Sequence, residues 1–169
     1  MRLLFLFILS TITVFALELN VMLPKILLSA DEGGTLEKLA WDSSSLKDKV
    51  HVVFYVDPDE KSTNNEASEA LKKENFDRQY YGSVAVINMA ASWLPNWALD
   101  NALQEKQANY PDTLYIKDMN KKLVQAWDIK DDSSNIYVID KEGIVRFKHE
   151  GKLDETAISL LIKTIKAYM

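Results

Sequence analysis

Residues 49–65 read KVHVVFYVDPDEKSTNN. Val50 to Val56 is an apolar run broken only by His51 and rich in β-branched and aromatic side chains, the pattern of a strand buried on both faces. Asp57-Pro58 ends it, since proline offers no N–H to a ladder. Thr63 with Glu66 three residues on then fits a capping box, and Ala67, Ala70, Leu71 and Phe76 carry helical spacing. Strand, turn and helix in that order predict a parallel α/β unit with a polar turn at its strand end.

Downstream the alternation continues. SVAVINM (83–89) reads as a second buried strand, 98–108 as a helix closed by Pro111, and 113–116 as a third strand. A short helix over 119–127 places Leu123, Val124 and Trp127 on one face. Two strands, 135–140 and 144–148, flank Lys141-Glu142-Gly143, a hairpin turn with glycine where positive φ is easy. Asp154 can cap a last helix whose Ile158, Leu161, Ile162 and Ile165 recur at i, i+3, i+4 and i+7. Upstream, 19–23 and 25–28 suggest short strands, Asp31-Glu32-Gly33-Gly34 a tight turn, and WDSSSLKDK (41–49) a loop. Parallel neighbours with right-handed crossovers and a closing hairpin give one mixed sheet.

The first residues, MRLLFLFILSTITVFA, place Arg2 before an apolar stretch, with Val14 and Ala16 at the spacing of a leader-peptidase site. The expectation is a signal peptide, 1–16, cut near Ala16, leaving 17–169 as a single domain with no stable membrane insertion. Of 169 residues 47% are hydrophobic, enough for a real core in one domain. The chain has no cysteine, which excludes thiol–disulfide chemistry, thiol peroxidase chemistry and thiolate metal sites. A formal charge of −5 argues against nucleic acid as a partner.

The order of elements, ending in YVIDKEGIVRF (137–147) and a docked helix, resembles the thioredoxin and peroxiredoxin superfamily. Residues 49–65 and 116–155 are similar, more narrowly, to the YtfJ family of bacterial periplasmic proteins. The resemblance implies a thioredoxin-like three-layer α/β/α sandwich with a mixed central sheet, in a periplasmic protein. Redox members of the superfamily carry Cys-x-x-Cys where this chain has Asp57 to Asn64, and a cis-proline at the position that counting assigns to Ser134. Both landmarks are missing, so the resemblance transfers no redox activity and no catalytic residue.

Asp57 and Asp59 after a hydrophobic strand match part of the haloacid-dehalogenase phosphatase signature, in which one aspartate attacks phosphorus and the other moves a proton beside Mg²⁺. Position 61 is Lys, however, and no downstream acidic pair stands out as completing a metal site. Asp57, Asp59 and Glu60 also fail as a calcium loop, because the sixth and twelfth positions are Ser62 and Ser68. A turn and helix start is the simpler reading of these carboxylates, with no metal and no cofactor implied. His51 and His149 read as structural or solvated. Trp93 and Trp97 flank Pro95, and inward packing is the expectation, with exposure as partner anchors the alternative. Trp41 and Trp127 read as core. The function expected is non-catalytic binding of an envelope protein or small ligand. Its rivals are a metal-dependent hydrolase built on Asp57 and Asp59, and an assembly role for the Trp93–Trp97 loop.

Overall fold

A computed structural model describes residues 17–169. The expected leader, 1–16, lies outside the described residues.

The strands are β1 (Leu27–Leu28), β2 (Gly33–Thr35), β3 (Trp41–Asp42), β4 (Val50–Val56), β5 (Tyr81–Asn88), β6 (Thr113–Asp118), β7 (Ser134–Ile139) and β8 (Val145–Glu150); the α-helices are α1 (Asn65–Glu74), α2 (Asn96–Asn109), α3 (Lys122–Trp127) and α4 (Glu155–Tyr168). Six strands form one sheet in the order β2-β6-β5-β4-β7-β8, with β4, β5 and β6 parallel and β2, β7 and β8 antiparallel to their neighbours. β1 and β3 pair separately.

Alternation along β4 divides the core. Val53 and Tyr55 point to one face, where Trp41, Leu123 and Trp127 pack beneath α3 and the amino-terminal segment. Val50, Val52 and Phe54 point to the other, beneath Leu71 of α1, Leu99 and Leu103 of α2, and Leu161 and Ile165 of α4. Both faces of the central strand are thus dry, which explains its almost unbroken apolar sequence. The architecture is the mixed-sheet, thioredoxin-like α/β fold that the sequence resembles.

Four local expectations change. Residues 19–23 form no strand; only Met22 bridges to Ile144. The strand expected over 25–28 shrinks to its last two residues. Gly33 and Gly34 leave the expected turn and form an edge strand on β6, because a Cβ on Gly33 would sit 1.9 Å from the Lys117 carbonyl oxygen and its φ is 128°. The capping box is absent: Thr63 donates its hydroxyl proton to Glu60 instead, and the helix starts at Asn65 after Asn64. Among the described residues no helix is long and apolar enough to cross a membrane.

Candidate functional site

β4 delivers Asp57 to the end of the sheet, directly after its last ladder residue. The Asp57 N–H donates to the Ser133 carbonyl (3.1 Å), and the Ser133 N–H donates back to Asp57 Oδ2 (3.0 Å). This exchange continues the β4–β7 ladder one step past Val56 and Ser134, and it holds the 131–133 loop over the strand end. Pro58 then opens a single 3₁₀ turn, Pro58–Glu60, which carries the chain away.

Asp57 is only 2% exposed, and its Oδ1 has no hydrogen-bond donor in the protein. Next to it, at the end of β5, Asn88 is completely buried; its Nδ2 donates to Asp131 Oδ1 (3.1 Å), while its Oδ1 has no donor. Asp131 and Asp132 reach the same point from the loop before β7, so that carboxylate oxygens of Asp57, Asp131 and Asp132 all lie within 4.8 Å of one another. Among the described residues this is the one group of three potential acidic or imidazole ligands. Lys121 adds an ammonium, 2.7 Å from Asp131 Oδ2.

The environment separates the two aspartates. Burial pushes the Asp57 carboxyl above the ordinary carboxylate range, the Asn88 amide and Ser133 N–H pull it partly back, and the charges of Asp131 and Asp132 push it up again. For Asp131, burial opposes ionisation, but the Lys121 ammonium, the Asp132 backbone and the Asn88 amide outweigh it and hold the carboxyl below its usual range. Behind the cluster, Tyr55 donates to Asp118 Oδ2 (3.3 Å); burial and the charges of Asp118, Asp57 and Asp131 raise its pKa, so the phenol stays protonated.

Ser134 lies beside this cluster, but its own bonds face the other way. Its Oγ accepts from Asn64 Nδ2 (2.9 Å), and its carbonyl accepts from the Gly151 N–H (3.0 Å). Asn64 also donates to the Gly151 carbonyl (3.0 Å) and accepts from the Leu153 N–H (2.9 Å). The start of α1 is therefore pinned to β7 and to the segment after β8. Asn64 precedes the first residue of α1, but its side chain makes no cap bond to the helix and is spent on these cross-links. No peptide bond among the described residues is cis.

The other expected residues fall elsewhere. Asp59 is exposed and Glu60 half-buried, bound to Thr63; neither belongs to the carboxylate cluster. Asp57 thus finds its acidic neighbours in Asp131 and Asp132, the downstream pair that sequence reasoning passed over. A usable signal exists: the resemblance assigns Ser134 to the cis-proline position that faces the cysteine site in redox members, and Asp131 and Asp132 stand just before it in the sequence. Nothing in the local pattern marked Asn88 or Lys121. Trp93 and Trp97 do not pack inward; they are 85% and 68% exposed, Trp93 on the segment that joins β5 to α2 and Trp97 in the first turn of α2. Trp41 and Trp127 are core, as expected. A separate cavity of about 680 Å³, lined by Met22, Leu23, Leu46, Lys47 and Gly143 among others, lies along the amino-terminal segment and contains none of these groups.

Residues 26–168 match the family described as "Bacterial protein of unknown function (YtfJ_HI0045)". An uncharacterised protein of Haemophilus influenzae is 29% identical over 129 residues, which span 74% of this chain and 70% of that one. The uncharacterised protein YtfJ of Escherichia coli is 26% identical over 134 residues, spanning 75% and 72%. Among solved structures, a peroxiredoxin-like protein from Aquifex aeolicus superposes with a TM-score of 0.64 at 12% identity, covering 91% of this chain and 89% of its own, a likeness of fold alone. The chain accordingly belongs to the bacterial YtfJ_HI0045 family, built on a thioredoxin-like fold without the redox cysteines.

Proposed function

We propose that this protein is a non-redox binding protein of the bacterial envelope, acting in the periplasm after removal of residues 1–16 and engaging a partner through the end of the sheet where β4, β5 and β7 meet their loops. The observation that carries the reading is the exposure of Trp93 and Trp97, 85% and 68%, on the chain leaving β5. The 3₁₀ turn Met89–Ala91 that precedes them packs on the Pro58–Glu60 turn, so both tryptophans belong to the rim of the same end of the molecule. Exposed tryptophan supplies a large rigid contact surface with little entropy to lose, which is why it recurs at binding hot spots.

A photo-reactive residue placed at Trp93 in the full chain, expressed in cells, tests this. It should yield a discrete adduct in the periplasmic fraction that is lost in the Trp97→Ala background and absent when the probe stands at Lys163 on α4. Identical adducts from both positions would refute the reading. Mass measurement of the purified protein, expected to begin at Leu17, tests the export step separately.

A further inference from the structure

We propose that Asp57, Asp131 and Asp132, together with the Asn88 side-chain carbonyl, form a binding site for a hard divalent cation of the Ca²⁺ and Mg²⁺ class. This goes beyond the partner-binding reading and does not depend on it.

Geometry comes first. Carboxylate oxygens of the three aspartates lie within 4.8 Å of one another. Oxygen ligands about 2.3–2.6 Å from Ca²⁺ place opposite oxygens about 5 Å apart, so the spacing of these carboxylates is that of oxygens around one ion, with side-chain rotation enough to adjust it. Asp57 is fixed by the rigid end of β4, whereas Asp131 and Asp132 come from one loop that the Ser133 exchange ties to that strand.

The independent observation is Asn88. It is fully buried at the end of β5, its amide lies against Asp131, and its Oδ1 meets no donor. Asp57 Oδ1, 2% exposed as a residue, is in the same position. Buried acceptors are ordinarily paired, and two unpaired ones at adjacent strand ends, one on a carboxylate of the cluster and one on the amide that bonds to it, call for a positively charged or donating guest. Turning the Asn88 amide over puts its oxygen where Nδ2 now stands, 3.1 Å from Asp131 Oδ1, a spacing that two oxygens on one cation also adopt.

Donor chemistry selects the ion. All the ligands are oxygens, with no imidazole, thiolate or thioether among them, which favours Ca²⁺ or Mg²⁺ over zinc or copper. Lys121 occupies Asp131 Oδ2, leaving Oδ1 toward Asn88 and the cluster. Three carboxylates against one ammonium leave a deficit of two positive charges, which a divalent ion supplies.

The test uses the full chain, stripped with chelator and titrated with CaCl₂ and, separately, MgCl₂ while heat and thermal midpoint are followed. A saturable response with one ion per chain and a midpoint raised by several degrees at millimolar cation is expected for at least one of the two. Asp131→Asn with Asp132→Asn changes one half-buried and one exposed side chain and leaves Asp57 in place, so the variant keeps its circular dichroism spectrum and loses at least about tenfold in affinity. No response to either cation at millimolar concentration, or an equal response from wild type and the variant, would overturn the proposal.

Discussion

Asp57 and Asp140 follow the carboxyl ends of two neighbouring antiparallel strands, β4 and β7, and so occupy opposite ends of the sheet. Both are buried, at 2% and 0% exposure, yet their partners differ completely. Asp140 Oδ1 accepts from the N–H groups of Glu142 (3.0 Å) and Ile144 (2.9 Å), and its Oδ2 accepts from Arg146 Nε (2.6 Å). Asp57 accepts one backbone bond and leaves an oxygen bare. Burial therefore does not separate a carboxylate that builds the fold from one held in reserve; the count of donors does. The Asp140 end is in this sense closed and the Asp57 end open; His51, at the closed end, is likewise committed, its Nδ1–H pointing at the Leu46 (3.2 Å) and Lys49 (3.1 Å) carbonyls.

The sharpest way to break this contrast is to remove the committed carboxylate. Asp140→Ala strips the charged acceptor from two backbone N–H groups of the β7–β8 turn. At about 1.5–3 kcal/mol for each hydrogen bond to a charged group, the expected loss is about 3 kcal/mol in urea unfolding at neutral pH. A loss below that of any Asp57 variant would reverse the assignment of roles.

At the same end, Gly82 lies opposite His51 in the β4–β5 ladder, and a Cβ there would fall 2.4 Å from His51 Cδ2. The ring is held by two carbonyls and cannot swing aside freely. Gly82→Ala is expected to destabilise by about 2 kcal/mol, the usual range for overpacking.

His51 also gives the closed end a pH signature. Burial, helped by the Lys49 ammonium, lowers its pKa below the ordinary 6.5, so the folded protein takes up this proton later than the unfolded chain. Its contribution is present above 6.5 and is lost as pH falls through the lowered folded value, because the unfolded state then binds more protons. Urea midpoints measured between about pH 7.5 and pH 5 should fall more steeply in wild type than in His51→Asn. Equal slopes would mean that His51 carries no part of the acid sensitivity.

How much of this contrast the sequence carried follows from the range of each interaction. β4 and α4 were legible because their patterns are complete within a dozen residues: an apolar run for one, the Ile158, Leu161, Ile162, Ile165 stripe behind Asp154 for the other, whose Oδ1 does cap Ala157 N–H. Asp57 stands out by its place after an apolar strand, but its near neighbours in sequence are Asp59 and Glu60, where local chemistry favours only a turn. The cluster instead joins positions more than seventy residues apart through strand register, as Ser133 to Asp57 demonstrates. The capping box failed for the same reason: Thr63 and Glu66 have the right spacing, but Asn64 is drawn into bonds with Ser134, Gly151 and Leu153 that no local rule foresees. Gly33 and Gly34 read as a turn because glycine's permissiveness serves a turn and a close strand approach equally.

The open end predicts a smaller effect of opposite sign. Asp57→Asn keeps an acceptor for the Ser133 N–H, removes a buried charge whose ionisation burial already opposes, and relieves repulsion from Asp131 and Asp132. In chelator at neutral pH, stability should be unchanged or higher by up to about 1 kcal/mol. A loss comparable with that of Asp140→Ala would make Asp57 a structural residue and remove the contrast between the two ends.

The smallest effect belongs to the tryptophans, and here spectroscopy is more informative than stability. Trp93→Ala with Trp97→Ala removes side chains that are mostly in solvent, so unfolding free energy should stay within about 0.5 kcal/mol of wild type. The two tryptophans that remain, Trp41 and Trp127, are 3% and 1% exposed. Emission of the folded double variant should therefore lie to the blue of wild type, and on unfolding it should shift further than wild type does, because no exposed indole dilutes the change. A double variant that unfolds early, or whose emission keeps the wild-type maximum, would place the pair in the core. The rim of the open end would then lose its aromatic anchors, leaving only the carboxylates and Asn88 to distinguish it from the closed end.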